Sequence, residues 1–287
     1  MGFCGEVLCR NSSSSFSLRV FLNAVSQGYA MDQLRELIKG EIGRNIVSLG
    51  IVESTNSLAM ELAEKGASHG TVVIADSQTK GRGRMGRPWI SPSGGNIYMS
   101  VILTHPMDLK EATFLTILAG VACCGALRNA TGLPVEIKWP NDLMVSHKKL
   151  GGILTELKSC GREMLYAIIG IGINVNIALE DFPPEVRKIA TSIKDEKGKT
   201  ESRTFLIAEI LNELDRWYHV FAQQGKNSLL NEWRKLTSMM GKPVQVTMGE
   251  EIISGLAHDI DEGGMLIVRL PSGALKRISF GDLVVLR

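Results

Sequence analysis

Between Gln78 and Trp89 the chain gathers Lys80, Arg82, Arg84 and Arg87 around Gly81, Gly83 and Gly86, with no acidic residue. Glycine lets backbone amides approach a ligand closely, and arginine offers forked donors to phosphate or carboxylate. The pattern suits a phosphate cradle, a grip on nucleic-acid backbone, or a solvated basic loop. Gly81, Gly83 and Gly86 also have the spacing of a dinucleotide-binding fingerprint, which needs a helix to open directly after it. Pro88, Pro92, Gly94 and Gly95 follow instead, so that reading fails. The chain has no P-loop motif either.

Three more clusters carry groups able to do chemistry. Lys138, Asn141 and Asp142 surround Pro140 at the end of an apolar run. A carboxylate there can hold a metal, orient an amine or accept a proton, or it can simply close an Asx-turn. Lys149 stands just before Gly151 and Gly152, which leave room on a strand for a ligand or another backbone. The plainer reading is a solvated lysine on a hairpin edge. Gly170 and Gly172 sit in an alternating apolar segment that runs on to Asn174 and Asn176. Such a segment is a strand with close backbone approach, or one interrupted by a bulge.

These groups need a framework. Residues 46–52 read as a strand, and 57–65 as a helix capped by Ser54, Thr55 or Asn56. Strands follow at 71–75 and 97–103, then an apolar helix over 110–131. Further strands fall at 135–139, 143–146, 152–157 and 165–170, and an amphipathic helix at 203–222. Several strands in succession with few helices between them predict an α+β fold with a mixed sheet rather than a doubly wound one. Five short strands separated by Gly- and Asp-rich turns between 244 and 286 predict a small β-barrel. The resulting division is a leader over 1–30, an α+β domain over 31–235 and a C-terminal domain over 236–287.

Bulk properties narrow the function classes. The chain has 287 residues, 44% hydrophobic and 22% charged, with a net charge of +2. This is ordinary for a globular protein, and any affinity for polyanions must be local. The apolar run 112–127 is bounded by Glu111 and Arg128; it falls short of the ~20 residues of a bilayer span and reads as a buried helix. The five cysteines include no CxxC pair, and the histidines lack the spacing of a zinc site, so the thiols are expected free in a reducing compartment. The first thirty residues are Ser-rich, carry Arg10 and Arg19, and contain Glu6 as their single acid. That composition fits a dispensable leader or an organelle transit peptide.

Four of the clusters, taken in order, resemble the biotin protein ligases. They are Glu53 to Asn56, the loop Gly81 to Trp89, Lys138 to Asp142 with Lys149 to Gly152, and Gly170 to Asn174. The resemblance runs from about residue 46 to the end of the sequence, in a form without an N-terminal DNA-binding domain. It implies a mixed-sheet catalytic domain followed by an SH3-like domain. It also implies a two-step reaction in which biotin and ATP form biotinyl-AMP. A lysine of a biotin carboxyl carrier protein, as in acetyl-CoA carboxylase, then takes the biotinyl group. By this resemblance Ser54, Thr55, Asn56 and Gln78 line the biotin pocket. Arg82, Gly83 and Arg84 hold the carboxylate and the phosphate, and Lys149 bridges both. Arg82, Arg84, Trp89, Lys138, Asn141 and Asn174 form the nucleotide side, with Trp89 and Asn174 toward the adenine. Arg84, Lys149 and Asp142 are the catalytic candidates, Asp142 steering either the acceptor amine or Mg2+. Met85 departs from the usual polarity of that loop.

The expectation is a cytoplasmic enzyme without specific DNA binding or membrane attachment. It leaves homodimer formation and organelle targeting open, and it leaves the C-terminal domain three roles: contact with ATP, contact with the carrier, or stabilisation. A lipoate ligase is the nearest enzyme alternative. A single-strand nucleic-acid grip would need aromatics interleaved with the loop's charges, and only Trp89 and Tyr98 are near. A biotin-responsive repressor would need two capped helices around a turn before the catalytic domain.

Overall fold

The computed structural model describes residues 29–286. Residues 1–28 lie outside the described residues, and with them nearly all of the expected leader, Cys4 and Cys9. In chain order the elements are α1 (Met31–Leu37), β1 (Ile46–Val52), α2 (Thr55–Glu64), β2 (Val72–Gln78), β3 (Ile97–Leu103), β4 (Met107–Asp108), α3 (Leu109–Ala112), α4 (Leu115–Thr131), β5 (Glu136–Lys138), β6 (Asp142–Val145), β7 (Lys148–Cys160) and β8 (Glu163–Ile173). They continue with α5 (Pro184–Arg187), α6 (Ile193–Lys197), α7 (Arg203–Gln224), α8 (Lys226–Leu236), β9 (Pro243–Met248), β10 (Glu251–Ile260), β11 (Leu266–Arg269), β12 (Leu275–Ile278) and β13 (Asp282–Val285).

The first sheet runs β1-β2-β3-β8-β7-β6-β5, with β4 added beside β8. Only β1 and β2 pair in parallel; the remaining pairings are antiparallel. The fold is thus mixed α+β, as the strand succession predicts. Strand periodicity decides which side chain goes where. On β3, Ile97, Met99, Val101 and Leu103 enter the main core, while Ile102 joins Ala59, Val73, Tyr166 and Ile168 beneath α2.

Helix α4 is apolar on nearly every side because it lies between the sheet and α7 and α8. The stretch 109–131 is long and apolar enough to cross a bilayer by length and composition, yet here protein packs around it, as the buried-helix reading expects. Gly132, at φ 73°, closes α4 in the left-handed conformation that glycine adopts without a Cβ clash. Cys123 and Cys124 are buried free thiols in this helix. Burial pushes both up, Cys124 to about 12, so they stay neutral.

The C-terminal strands form a second, antiparallel sheet in the order β12-β11-β10-β9-β13, an SH3-like arrangement. It is fastened to the catalytic body at several points. Arg234 of α8 donates to Asp259 at 2.7 Å, Trp139 donates its indole N–H to the Gly264 carbonyl at 3.3 Å, and Ser238 bonds Glu136.

The expected leader boundary at residue 30 needs correction. Tyr29 is only 6% exposed. Its hydroxyl lies 3.2 Å from the Ala75 carbonyl and 3.3 Å from that of Asn96, and the Arg203 guanidinium covers its ring at 4.5 Å. Arg203 in turn donates to Asp76 at 2.8 Å. Burial alone would raise the Asp76 carboxyl; bonds from Ser93 and Arg203 outweigh it and hold it below the usual range. Tyr29 therefore belongs to the core network, although its Ser-rich neighbourhood gave no periodic signal. Removing a buried aromatic leaves a cavity that costs about 3–5 kcal/mol. Tyr29→Ala is expected to lower the urea midpoint accordingly, and an unchanged midpoint would return the residue to the leader.

A second prediction concerns pH. His69 and His105 stack at 3.5 Å, and His69 Nδ1 accepts the Thr104 amide at 3.2 Å. Burial, then the neighbouring His105, lowers His69 to about 4, with Glu41 and Asp215 opposing and His219 adding to the fall. Protonation would also destroy the Nδ1 acceptor. A histidine lowered on folding contributes stability that is complete above its ordinary value near 6.5 and is lost as the pH falls toward 4. Urea midpoints should therefore decline across that window, and less so in His69→Gln. Parallel pH profiles would exclude this origin.

Candidate active site

The site lies on the α2 side of the first sheet. Cross-strand register places Lys138 of β5 opposite Asp142 of β6, Asp142 opposite Gly152 of β7, Gly152 opposite Gly172 of β8, and Gly172 opposite Tyr98 of β3. Directly opposed residues share a face. Two lattice positions further on, Leu154 faces Gly170 and Gly170 faces Ser100. The sheet thus presents a cationic edge, then a floor of glycines and small residues.

Gly170 and Gly172 are required by what lies on them, whereas Gly152 leaves its neighbours near-ordinary contact distances. A Cβ on Gly172 would come within 2.7 Å of Trp89 Nε1, and one on Gly152 within 3.4 Å of the same indole. A Cβ on Gly170 would overlap the Asn56 amide. Trp89 lies flat on the sheet in consequence, with Lys149 Nζ 5.4 Å from the ring centroid. Its buried indole N–H has no hydrogen-bond partner among the described residues. The loop therefore has an apolar anchor, which the basic stretch preceding Trp89 does not advertise.

The polar end is built at the start of α2. Ser54 is the N-cap, accepting from the Ser57 amide at 3.5 Å. Thr55 donates through its amide and hydroxyl to Gln78 Oε1, at 2.8 and 3.1 Å. Gln78 Nε2 donates to Ser91 Oγ at 3.0 Å. Ser100 donates to Asn56 Oδ1 at 2.6 Å and lies 2.8 Å from Thr55 Oγ1, and Asn56 Nδ2 donates to Glu156 Oε2 at 2.7 Å. Ser54, Thr55, Asn56 and Ser100 are all buried, so their bonding network fixes a rigid wall.

The charged end turns on Asp142. One of its oxygens accepts Lys149 Nζ at 2.6 Å and the other faces Lys138 Nζ at 3.3 Å. Arg84 reaches Asn141 Oδ1 at 3.3 Å, and Asn141 Nδ2 donates to the Ile153 carbonyl at 2.7 Å. Burial pulls Arg84 below the usual guanidinium range while Asp282 and Asp142 oppose it; arginine stays charged throughout. Arg82 points the other way, to Ser57 and Glu156. Asn174 is buried and donates to the Thr191 carbonyl at 3.0 Å.

One cavity of about 1010 Å³ joins these parts. Every residue to which the resemblance gives a role lines it: Ser54, Thr55, Asn56, Gln78, Arg82, Gly83, Arg84, Trp89, Lys138, Asn141, Asp142, Lys149 and Asn174; Lys80, Gly81, Gly86 and Asn176 do not. Arg82, Arg84, Arg87, Lys138, Lys149, Lys188 and Lys242 face it against Glu136, Asp142, Glu185 and Asp282, so its wall is net positive although the whole chain is only +2. A cavity of this kind takes an anionic ligand with a neutral, hydrogen-bonding head. Sequence reasoning missed Glu156, which ties Asn56 to Arg82. Its position at an even step from Gly152 on one strand was the available signal. It also missed Ser100 and the whole C-terminal contribution, Asp282 to Leu286 of which line the cavity.

Comparison with known proteins places the chain among relatives. Residues 49–174 match the Biotin/lipoate A/B protein ligase family, and residues 240–286 match the Biotin protein ligase C terminal domain. The chain is 36% identical over 252 residues to the bifunctional ligase/repressor BirA of Bacillus spizizenii, covering 88% of this chain and 77% of that protein. It is 30% identical to the biotin--[acetyl-CoA-carboxylase] ligase of Mycobacterium tuberculosis, covering 83% and 89%. Among solved structures it is similar to the Aquifex aeolicus biotin protein ligase in complex with biotin and ATP. There the TM-score is 0.73 at 30% identity, over 85% of this chain and 99% of that one.

The glycine floor makes a prediction that needs no ligand. Overpacking costs about 1–3 kcal/mol when the surroundings cannot move, but Trp89 sits on a loop and can. Gly172→Ala should lift the indole off the sheet. Tryptophan emission should shift to the red, and the shift should vanish when Trp89→Phe is added. Identical emission from Gly172→Ala and the unaltered protein would show that the floor tolerates a side chain.

Proposed function

This chain belongs to the biotin/lipoate A/B protein ligase family, and on that premise we infer that it joins biotin to a lysine of a carboxylase in an ATP-dependent reaction. The observation that carries this reading is a single cavity with a neutral bonding wall at one end and a cationic wall at the other. Biotin's ureido head both donates and accepts hydrogen bonds, which suits Thr55, Asn56, Gln78 and Ser100. Its carboxylate tail suits the arginines and lysines. Lipoate's dithiolane ring offers no such donors or acceptors, so that alternative is not favoured.

In the first step a biotin carboxylate oxygen attacks the α-phosphorus of ATP. A C(O)–O–P anhydride forms, and the bond to pyrophosphate breaks. Anion attacks anion, so cations fixed beforehand lower the barrier most. Lys149, held by Asp142, and Arg84, braced on Asn141, are such cations, and Lys138 adds charge from the far side of Asp142. Gly83 completes the loop around the carboxylate and phosphate; Arg82, turned to Ser57 and Glu156, would have to leave those partners to join it. Trp89 and Asn174 form the nucleotide side, where the unpartnered indole N–H can meet an acceptor. In the second step the acceptor lysine's amine attacks the anhydride carbonyl. An amide forms, the C–O bond to phosphate breaks, AMP leaves, and the amine loses a proton. Asp142 is the carboxylate nearest that event, steering the amine while it anchors Lys149.

The acceptor in this reading is a biotin carboxyl carrier domain. Mg2+ enters with ATP. Magnesium keeps most of its waters and binds phosphates plus one or two carboxylates. In the alternative to steering the amine, Asp142 would hold the ion, which when bound would neutralise triphosphate charge. The two-step reaction itself calls for no contact with DNA. A cytoplasmic site of action suits the free thiols Cys123 and Cys124, and targeting by the first 30 residues is the alternative.

The test is biotin-dependent exchange of pyrophosphate into ATP, followed by labelling of a carrier domain. Lys149→Ala should lower exchange by the equivalent of about 2.7–4 kcal/mol, roughly a hundred- to a thousandfold. Its thermal stability should barely move, as for other partly exposed positions. Exchange at the unaltered rate would make Lys149 a partner of Asp142 and no more.

A further inference from the structure

The Gly/Arg loop is tied to the C-terminal sheet at one point. Arg87 pairs with Asp282, the first residue of β13, across 195 positions of sequence. Nothing in the reaction described above uses either residue. Within the loop, Gly83 donates to the Arg87 carbonyl at 2.7 Å, Arg87 to that of Arg84 at 3.2 Å, and Trp89 to that of Gly81 at 2.8 Å. These bonds make the loop a closed hairpin, with Met85 exposed at its tip in the left-handed region, φ 56°. Arg87 therefore cannot shift without carrying Arg84 along. Asp282 is a fixed post: it is paired in register with Thr247 of β9, and its neighbour Leu283 is buried. The ties at Trp139, Glu136 and Arg234 hold that sheet against the catalytic body.

We propose that Asp282 is a positioning residue of this ligase. Acting through Arg87, it keeps the Gly/Arg loop closed over the cavity with Arg84 turned to Asn141 and Asp142, and so sets how long the acyl-adenylate stays bound. The proposal rests on the functional reading above. The pair itself is well exposed, with side chains 60% and 40% accessible, so its contribution to folding stability is small. Its effect falls on the loop's closed fraction, and that bounds the change in retention at about fivefold.

The experiment uses the full chain loaded with biotinyl-adenylate, chased with excess biotin and ATP, and follows release by stopped flow. Asp282→Asn and Arg87→Ala are each expected to speed release about fivefold, and the double variant no further. Asp282→Glu should retain the adenylate as well as the unaltered protein. The exchanged pair, Arg87→Asp with Asp282→Arg, should recover most of the loss. Urea midpoints should stay level, while the Gly83, Arg87 and Trp89 amides exchange faster with solvent in free Asp282→Asn. A merely structural pair would move the midpoint and leave the other readouts in proportion to it. Unchanged release, multiplying single effects, or an exchanged pair no better than either single variant would overturn the proposal. If the unaltered chain forms no adenylate, the functional reading fails, and amide exchange with and without Asp282 still decides whether the latch exists.

Discussion

A sheet ordinarily covers each face with side chains at alternate positions, and here one face is left bare at Gly152, Gly170 and Gly172. The other features of the site follow from that gap. Because Gly152 and Gly172 are paired in register, the bare area is wide enough for an indole, and Trp89 can lie on it. Because Gly170 is opposite Ser100, the Asn56 amide can drop close to the backbone and meet the Ser100 hydroxyl. Side chains on the opposite face of the same strands, such as Ile169, Ile171 and Ile173, remain in the main core. The cavity is therefore obtained without thinning the packing that stabilises the sheet, since strand periodicity separates the two functions by one residue.

Charge is arranged with similar separation. Two ammonium groups share one carboxylate at Asp142, leaving a local excess of positive charge whose geometry is already fixed before any anion arrives. Bringing such groups together during a reaction would cost reorganisation, and holding them beforehand avoids that cost. The neutral wall at α2 avoids the opposite error. Its polar atoms satisfy one another, so a ligand that cannot reproduce those bonds leaves them intact and gains nothing, whereas one that donates and accepts in the right places can join the network. On the proposed function, discrimination and catalysis fall at different ends of one cavity.

Much of this was legible in the sequence because local rules governed it. The glycines of β7 and β8 sit within alternating apolar runs, and the Gly/Arg loop has a composition that no buried element could carry. The β1 and β3 spans and the apolar α4 follow directly from periodicity. Helix α8 was readable too, since Leu229, Leu230, Trp233 and Leu236 share one face, but a short helix with a strongly polar opposite face is easily passed over after α7. What sequence could not show depends on distance. Tyr29 gains its place from Arg203, far along the chain, and not from its neighbours. Glu156 is defined by Asn56 and Arg82, and Asp282 by Arg87. None of these partners is visible before the strands are laid side by side.

The strength of the tie between the C-terminal sheet and the loop is the remaining physical question, and weakness serves it. The cavity must close to keep water from a reactive anhydride, and it must open once per turnover to release AMP and admit the acceptor lysine. A buried, fully desolvated ion pair would resist separation by several kcal/mol, because each freed charge would stay in low dielectric. An exposed pair between Arg87 and Asp282 is rehydrated as it parts, so opening carries little penalty. The ligand's own phosphate can then supply most of the closing energy through Arg84, while the sheet supplies the direction in which the loop closes. On this argument the C-terminal domain, whose residues Asp282 to Leu286 line the cavity along one edge strand, acts on the loop through a single carboxylate and contributes direction to it more than affinity.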